Sequence, residues 1–472
     1  MLGDINTEKY MLNKSTTTPP AGVRGLSEPI IQVGILSSEK IEFILNGTFV
    51  DNNRNNYTGN HIVQIQNDKI LFNSNLFDEL NFEPVSQNAS FDLIDVVIGI
   101  NFHWERKENQ RFKGDLKLIV ENGRLIAINR IGVEDYLTSV ISSEMSATAS
   151  DELLKAHAVI SRSWLLYPLQ NQNNGQLQSE TKNQQFTEIK HETRNTKHIN
   201  KWYERDAHTN FDVCADDHCQ RYQGITRAST QAVEAAIEAT RGEVLMYEDS
   251  ICDARFSKCC GGASETFENC WAPVHHPYLV RVFDSAKTPD GFETNLTNEQ
   301  NAQKWIRLAP EAFCNTSDKK VLAQVLNNYD QETTDFYRWK VEYSQTEIAE
   351  LLHRRSGIDF GQIIDLIPLK RGESGRIIEL KIVGTLQTVV VGKELEIRKW
   401  LSNSHLYSSA FVIDKHETTN NIPQRFVISG AGWGHGVGLC QIGAAMMGEK
   451  GYFYKDILLH YFRGAELKRI YP

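Results

Sequence analysis

Between Gly430 and Gly438 every second residue is glycine, in the run GAGWGHGVG, and a helical pattern begins just beyond it near Gln441. No other stretch of the chain constrains its backbone so tightly. Glycine lacks a Cβ and enters the positive-φ region freely, so such a run lets the chain turn sharply and press its amides against a neighbour. Trp433 and His435 stand between the glycines and bring a flat apolar face and a titratable, hydrogen-bonding ring. That combination suits a sugar. The run also fits a purely structural turn feeding a helix, and spacing alone does not separate the two.

The chain of 472 residues has room for two or three packed units, at about 150 residues per domain, and its 40% hydrophobic content can fill their cores. A formal net charge of −10 argues against a nucleic-acid partner, which needs concentrated Lys and Arg, and against an anionic membrane surface. No run approaches 18 consecutive apolar residues, so no transmembrane segment is expected. The N-terminal MLGDINTEKYMLNKSTTTPPAGVRG has no apolar h-region and does not have the pattern of a signal peptide. Eight cysteines in so long a chain do not make a disulfide framework. Cys214 and Cys219 lie near His208 and His218, and Cys252, Cys259, Cys260 and Cys270 crowd one stretch. Such clusters suit a reducing or metal-loaded setting.

The expected fold class is α+β, with a mainly helical catalytic core, a β-rich N-terminal region and an α+β insertion. Residues 1–27 read as a disordered tail. Residues 28–129 read as β-rich, from runs such as IIQVGIL, KIEFIL and DLKLIVENG, with Glu121-Asn122-Gly123 marking a hairpin. Residues 130–289 form the first part of the core, 290–425 an α+β insertion or subdomain, and 426–472 complete the core. The Gln/Asn/Thr-rich stretch 170–200 reads as an exposed insertion. A helix over 229–240 takes Ser229 as its N-cap.

The segment GVEDYLTSVISSEMSATASDELLKAHAVISRSWLLYPL starts at Gly132. Leu137, Val140 and Ile141 set an apolar helix face, and four residues beyond Val140 that face reaches Glu144. Burial raises a carboxyl's pKa, as a general acid at neutral pH requires. A helix-end Glu turned to solvent or paired with Arg162 is the alternative. The next helix is expected from Asp151 to Leu166, capped by Ser150 and stopped by Pro168, with Leu154, Ala158, Ser161 and Leu165 as a narrow inner stripe. A glycosidase normally needs two carboxyls. Glu134 lies ten residues from Glu144, about 15 Å along a helix, and Asp151 and Glu152 suit the next helix's N-terminus. No second catalytic acid can be named.

Together these blocks resemble the SpoIID/LytB family of peptidoglycan-acting proteins. The resemblance rests on Glu144-Met145, Leu154-Lys155-Ala156, Ala158-Val159, Arg162 and the C-terminal motif through Gln441, Gly443 and Ala444, in family order. It implies a lytic transglycosylase that cleaves glycan strands, from which stem peptides have been removed, with Glu144 as acid and then base, giving 1,6-anhydro products. The alternative it implies is a non-enzymatic glycan-binding enhancer of a partner amidase. Arg162, Glu265, Trp433, His435 and Gln441 become candidate substrate contacts, Arg162 equally a structural salt bridge. Cys214-ADD-His218-Cys219 with upstream His208 resembles a segment on which some members hold zinc, with Cys214, Cys219 and His208 as the favoured ligands; a disulfide or free thiols stay open. His157 replaces the family's usual glutamine. The substrate implies an extracytoplasmic location.

Overall fold

The computed structural model describes residues 27–98, 106–146, 149–173, 192–193, 196–203, 208–216, 219–226, 229–325 and 335–472. Strands account for 38% and helices for 25%. The fold is an α+β mix, and the expectation of a mainly helical core is wrong. Its error lay in short strands that become visible only through distant pairing, such as Phe256–Ser257, which pairs in parallel with Leu439–Cys440.

Ten N-terminal strands and the short strand Val213–Cys214 build one eleven-stranded sheet. Strand Ile30–Ser38 runs antiparallel to Arg124–Gly132, which turns back on Asp115–Glu121. Asn122 (φ 52°) and Gly123 (φ 71°) make the turn between them, as the Asn-Gly step requires for a two-residue hairpin. Alternate residues such as Ile41, Phe43 and Leu45 are buried, which is the period of a half-buried strand.

Strand Arg124–Gly132 runs directly into helix α1, Val133–Glu144. Glu28 caps its start by accepting the Glu134 N–H at 2.9 Å. Helix α2, Asp151–Asn173, follows with the Ser150 hydroxyl accepting the Leu153 N–H at 3.4 Å. Two expectations for α2 fail. The helix continues past Pro168 to Asn173, because a proline removes one amide donor without always ending a helix. Nor is its inner face narrow: every residue from Ala156 to Leu166 is buried, the mark of a helix enclosed on all sides. Around it pack α1, helices Gln231–Ala239, Gln441–Glu449 and Tyr454–Tyr461, and strand Glu243–Tyr247.

The C-terminal half adds a second core, in which Ile348, Leu352, Ile363, Leu380, Val391, Ile397 and Phe411 pack together. Most of the 170–200 stretch lies outside the described residues, as does the expected tail apart from its last residue. At its end, however, strand Thr196–Asn200 joins the five-stranded sheet beside Thr388–Gly392, so that part is built into the fold. The Gln231–Ala239 helix is capped by Thr230, whose hydroxyl accepts the Val233 N–H, and not by Ser229.

Candidate functional site

Glu144 is the last residue of α1. Tyr136, Leu137, Val140 and Ile141 on the preceding turns are fully buried, and Glu144 itself is half-buried. The chain then leaves the helix, and the Ser146 N–H donates to the Gln324 carbonyl at 3.0 Å. Val325, the next residue of that segment, accepts from Lys258 Nζ at 2.7 Å. Lys258 precedes Cys259, whose backbone pairs in both directions with Trp433. The end of α1 and the glycine loop therefore share one neighbour, the C-terminal end of helix Lys319–Val325.

Arg162 does not face Glu144. Its guanidinium is fully buried and grips Glu134 with two bonds, at 3.0 and 2.6 Å, while a third goes to the Glu243 carbonyl. Tyr471 Oη and the Gly242 N–H also donate to Glu134. With Nε, Nη1 and Nη2 each bonded inside the protein, Arg162 ties α1, α2 and the C-terminus together, which is the salt-bridge reading of this residue rather than the substrate contact. Glu265 is likewise enclosed. Its carboxylate accepts from Thr266, Glu373 and Ser374 amides, the Ser374 hydroxyl and Asn269. It anchors the 372–376 turn and offers no open lone pair to a ligand at the surface.

The glycine loop is wedged between residues 255–261 and Arg376. Gly436 has φ +78°, and a Cβ there would lie 2.4 Å from the Arg376 guanidinium carbon. At Gly438 it would lie 2.0 Å from the Arg255 carbonyl oxygen. These contacts, with the positive φ, are why only glycine fits. Trp433 emerges half-buried against Phe336 and the half-buried Tyr407, with ring centroids at 4.8 and 4.5 Å. His435 is half-buried and meets Trp271 edge to face at 4.9 Å. Its Nδ1 accepts the Val437 N–H at 3.0 Å, which leaves the ring proton on Nε2. Desolvation, then the positive fields of Arg255, Arg376 and Arg398, hold its pKa well below the ordinary histidine range, so the imidazole is neutral at physiological pH.

Gln441 is buried at the start of its helix, and its amide meets His157 Nε2 at 3.1 Å. The amide nitrogen only donates, so Nε2 accepts and Nδ1–H faces the Ser161 hydroxyl at 3.2 Å. Burial pushes the His157 pKa down to about 3. Gln441 is thus a buried bond between the C-terminal motif and α2.

His208, Cys214 and Cys219 converge as the spacing suggested, with donor atoms all within 4.8 Å of one another. His208 Nε2 lies 3.4 Å from Cys219 Sγ. His218 lies outside the described residues. Two thiols and an imidazole, all half-buried, are a donor set that fits a zinc ion. The segment adds Cys214 in parallel beside Gly34 of the large sheet, and Gln220 and Tyr222 pack under α1, with the Tyr136 and Tyr222 rings stacked at 5.0 Å. A cavity of about 320 Å³ opens here, lined by Gln110, Glu121, Phe211 and Arg221 and not by Glu144 or Trp433. A second cluster, of Cys260, Asp284, Cys314 and Cys440, is fully buried and also has a metal-compatible donor set. Sequence reasoning missed it, although Cys440 lies inside the motif. Phe336 and Tyr407 beside Trp433 were missed as well, having no pattern of their own.

The family profile described as Stage II sporulation protein matches residues 121–205 and 197–247, the part that carries α1, α2 and the Cys214 segment. A second, described as a domain of unknown function (DUF8618), matches residues 265–438. An uncharacterised protein of Brachyspira hyodysenteriae is 26% identical over 356 residues, 75% of this chain and 72% of that protein. The Stage II sporulation protein D of Bacillus amyloliquefaciens is 23% identical over 346 residues, 72% of this chain and 75% of its own length. The amidase enhancer of Bacillus subtilis is 25% identical over 240 residues, 49% of this chain but only 32% of that protein. These likenesses support a cell-wall-related role. Within the chain, residues 121–247 carry a SpoIID domain, and the relatives support a place in the SpoIID/LytB family. Among the described residues no helix is long and apolar enough to cross a membrane.

Proposed function

We propose that this protein is a lytic transglycosylase that cleaves peptidoglycan glycan strands outside the cytoplasmic membrane. The supporting observation is the state of the acids around α1. Glu134 is committed to Arg162, Asp151 to Lys155, and Glu152 to Lys155 and the Tyr454 amide. Asp135 points outward near Lys113. Among the described residues, none of these acids is left open to act with Glu144 as a second catalytic carboxyl.

A reaction that needs one acid accommodates this. The Glu144 carboxyl protonates the glycosidic oxygen as the bond to the muramoyl C1 breaks. The resulting carboxylate then takes the proton from the muramoyl 6-hydroxyl as that oxygen closes on C1, so no water enters. Trp433 and Tyr407 supply the aromatic faces for neighbouring sugars, while the His435 ring is engaged within the loop by the Val437 N–H and the Phe256 backbone. A zinc ion held by His208, Cys214 and Cys219 would be structural, pinning the segment that supports α1.

A second reading, glycan binding that stimulates a partner amidase, is favoured by the relative named amidase enhancer. Incubation with purified strands, peptide-bearing and peptide-free, separates the two. Products with 1,6-anhydro ends in mass spectra support cleavage. Strand binding without such ends, together with faster hydrolysis by an added amidase, supports the enhancer.

A further inference from the structure

We infer that Cys260, Asp284, Cys314 and Cys440 form a second, closed zinc site that locks the glycine loop to the rest of the protein. The four residues are remote in sequence and come from the 256–262 turn, the Asp284 segment, the Cys314 loop and the N-cap of helix Gln441–Glu449. None is more than 2% exposed, and their donor atoms all lie within 4.8 Å of one another. Cys260 Sγ and Cys314 Sγ are 3.7 Å apart. Zinc–sulfur bonds of about 2.3 Å in a tetrahedron place two sulfurs about 3.8 Å apart.

Asp284 is the independent sign that a cation belongs here. Its carboxylate is fully buried, and among the described residues no Lys, Arg or His forms an ion pair with it. A buried carboxylate without a counter-charge is costly. Its oxygens are oriented instead by Tyr461 Oη at 2.5 Å and the Cys314 N–H at 2.8 Å. The Cys260 N–H likewise points at Cys440 Sγ, at 3.2 Å. Such outer hydrogen bonds are what fix ligands around a metal. Space is kept for this arrangement at Gly443, where a Cβ would lie 2.4 Å from both Asp284 Oδ1 and Tyr461 Oη. Three thiolates and one carboxylate are a donor set for zinc rather than for magnesium or calcium, and with all four positions filled the role is structural. The inference does not depend on whether Glu144 cuts glycan.

Diffraction from wild-type crystals at the zinc edge should give an anomalous peak among Cys260, Asp284, Cys314 and Cys440; its absence overturns the site. In solution, the Cys214→Ser/Cys219→Ser variant, purified without chelator, should keep one zinc per chain. X-ray absorption should show three sulfur neighbours and one lighter atom. Adding Cys314→Ser or Asp284→Asn should remove that zinc. Cys259 borders Cys314 and Cys440, so Cys259→Ser is the control and should retain the metal. Zinc lost with Cys259→Ser but kept with Asp284→Asn refutes the ligand set, and a Cys260–Cys314 disulfide in unreduced peptides refutes the site.

Discussion

Replacing Arg162 with methionine removes a charge while keeping much of the side-chain volume, and it tests whether this residue serves the fold or the substrate. In the wild type the guanidinium is fully buried and bonds Glu134 twice, with the Glu134 side chain 7% exposed. The variant leaves a carboxylate in the interior without its counter-charge, a change that typically costs about 3–5 kcal/mol. Tyr471 and Gly242 still donate to Glu134, so a loss of about 3 kcal/mol in urea unfolding at neutral pH is expected. The double variant Glu134→Met/Arg162→Met should recover at least half of it, because the pair is removed together.

Acid gives a second readout. Desolvation raises the Glu134 pKa, but the Arg162 charge and the bonds from Arg162, Tyr471 and Gly242 outweigh it, so the folded value lies below 4.5. A depressed carboxyl pKa contributes stability above the ordinary range and loses it as pH falls through the folded value. Wild-type stability should therefore drop more steeply than that of the double variant below about pH 4.5. A loss under about 1 kcal/mol in Arg162→Met, with glycan turnover abolished, would refute the structural role.

Glu144→Gln should lower strand cleavage by about 10²–10⁴-fold with binding retained; near-normal cleavage would remove Glu144 as the acid. Trp433→Ala should weaken glycan affinity, by titration with soluble strands, and unchanged affinity in a stable variant would take the aromatic pair out of the binding surface. Gly436→Val, which drives a side chain into Arg376 at positive φ, should lower the melting temperature more than Trp433→Ala does, and calorimetry decides. His157→Gln should blunt acid sensitivity between about pH 6.5 and 3, because a histidine whose folded pKa is depressed to about 3 loses stability as pH falls below its unfolded value. Parallel urea curves of wild type and variant through that window would contradict this.

Legibility in the sequence followed the range of the interaction. Asn122-Gly123 announced its hairpin, and alternating apolar residues such as Ile41, Phe43 and Leu45 announced their strand, because both depend on neighbours a few residues away. The glycines at 432, 434, 436 and 438 announced positive φ, and all four have it. Pro168 misled for the complementary reason: enclosure of α2 by other elements outweighed a local signal to stop. The expected cap Ser229 gives way to Thr230, because the helix starts two residues later than the pattern suggested.

The sequence by itself showed the likeness to the SpoIID blocks, the helix that ends at Glu144, and the meeting of Cys214 and Cys219 with His208, because each block is a pattern of residues close along the chain. Tertiary structure alone decided the rest of the site. It gave Arg162 to Glu134 across 28 residues and Gln441 to His157 across 284. It also gathered Cys260, Asp284, Cys314 and Cys440 from four segments into one buried cluster. Periodicity and spacing describe how a segment presents its side chains. Which remote segment receives them depends on the packing of the whole chain, and no local pattern carries that information.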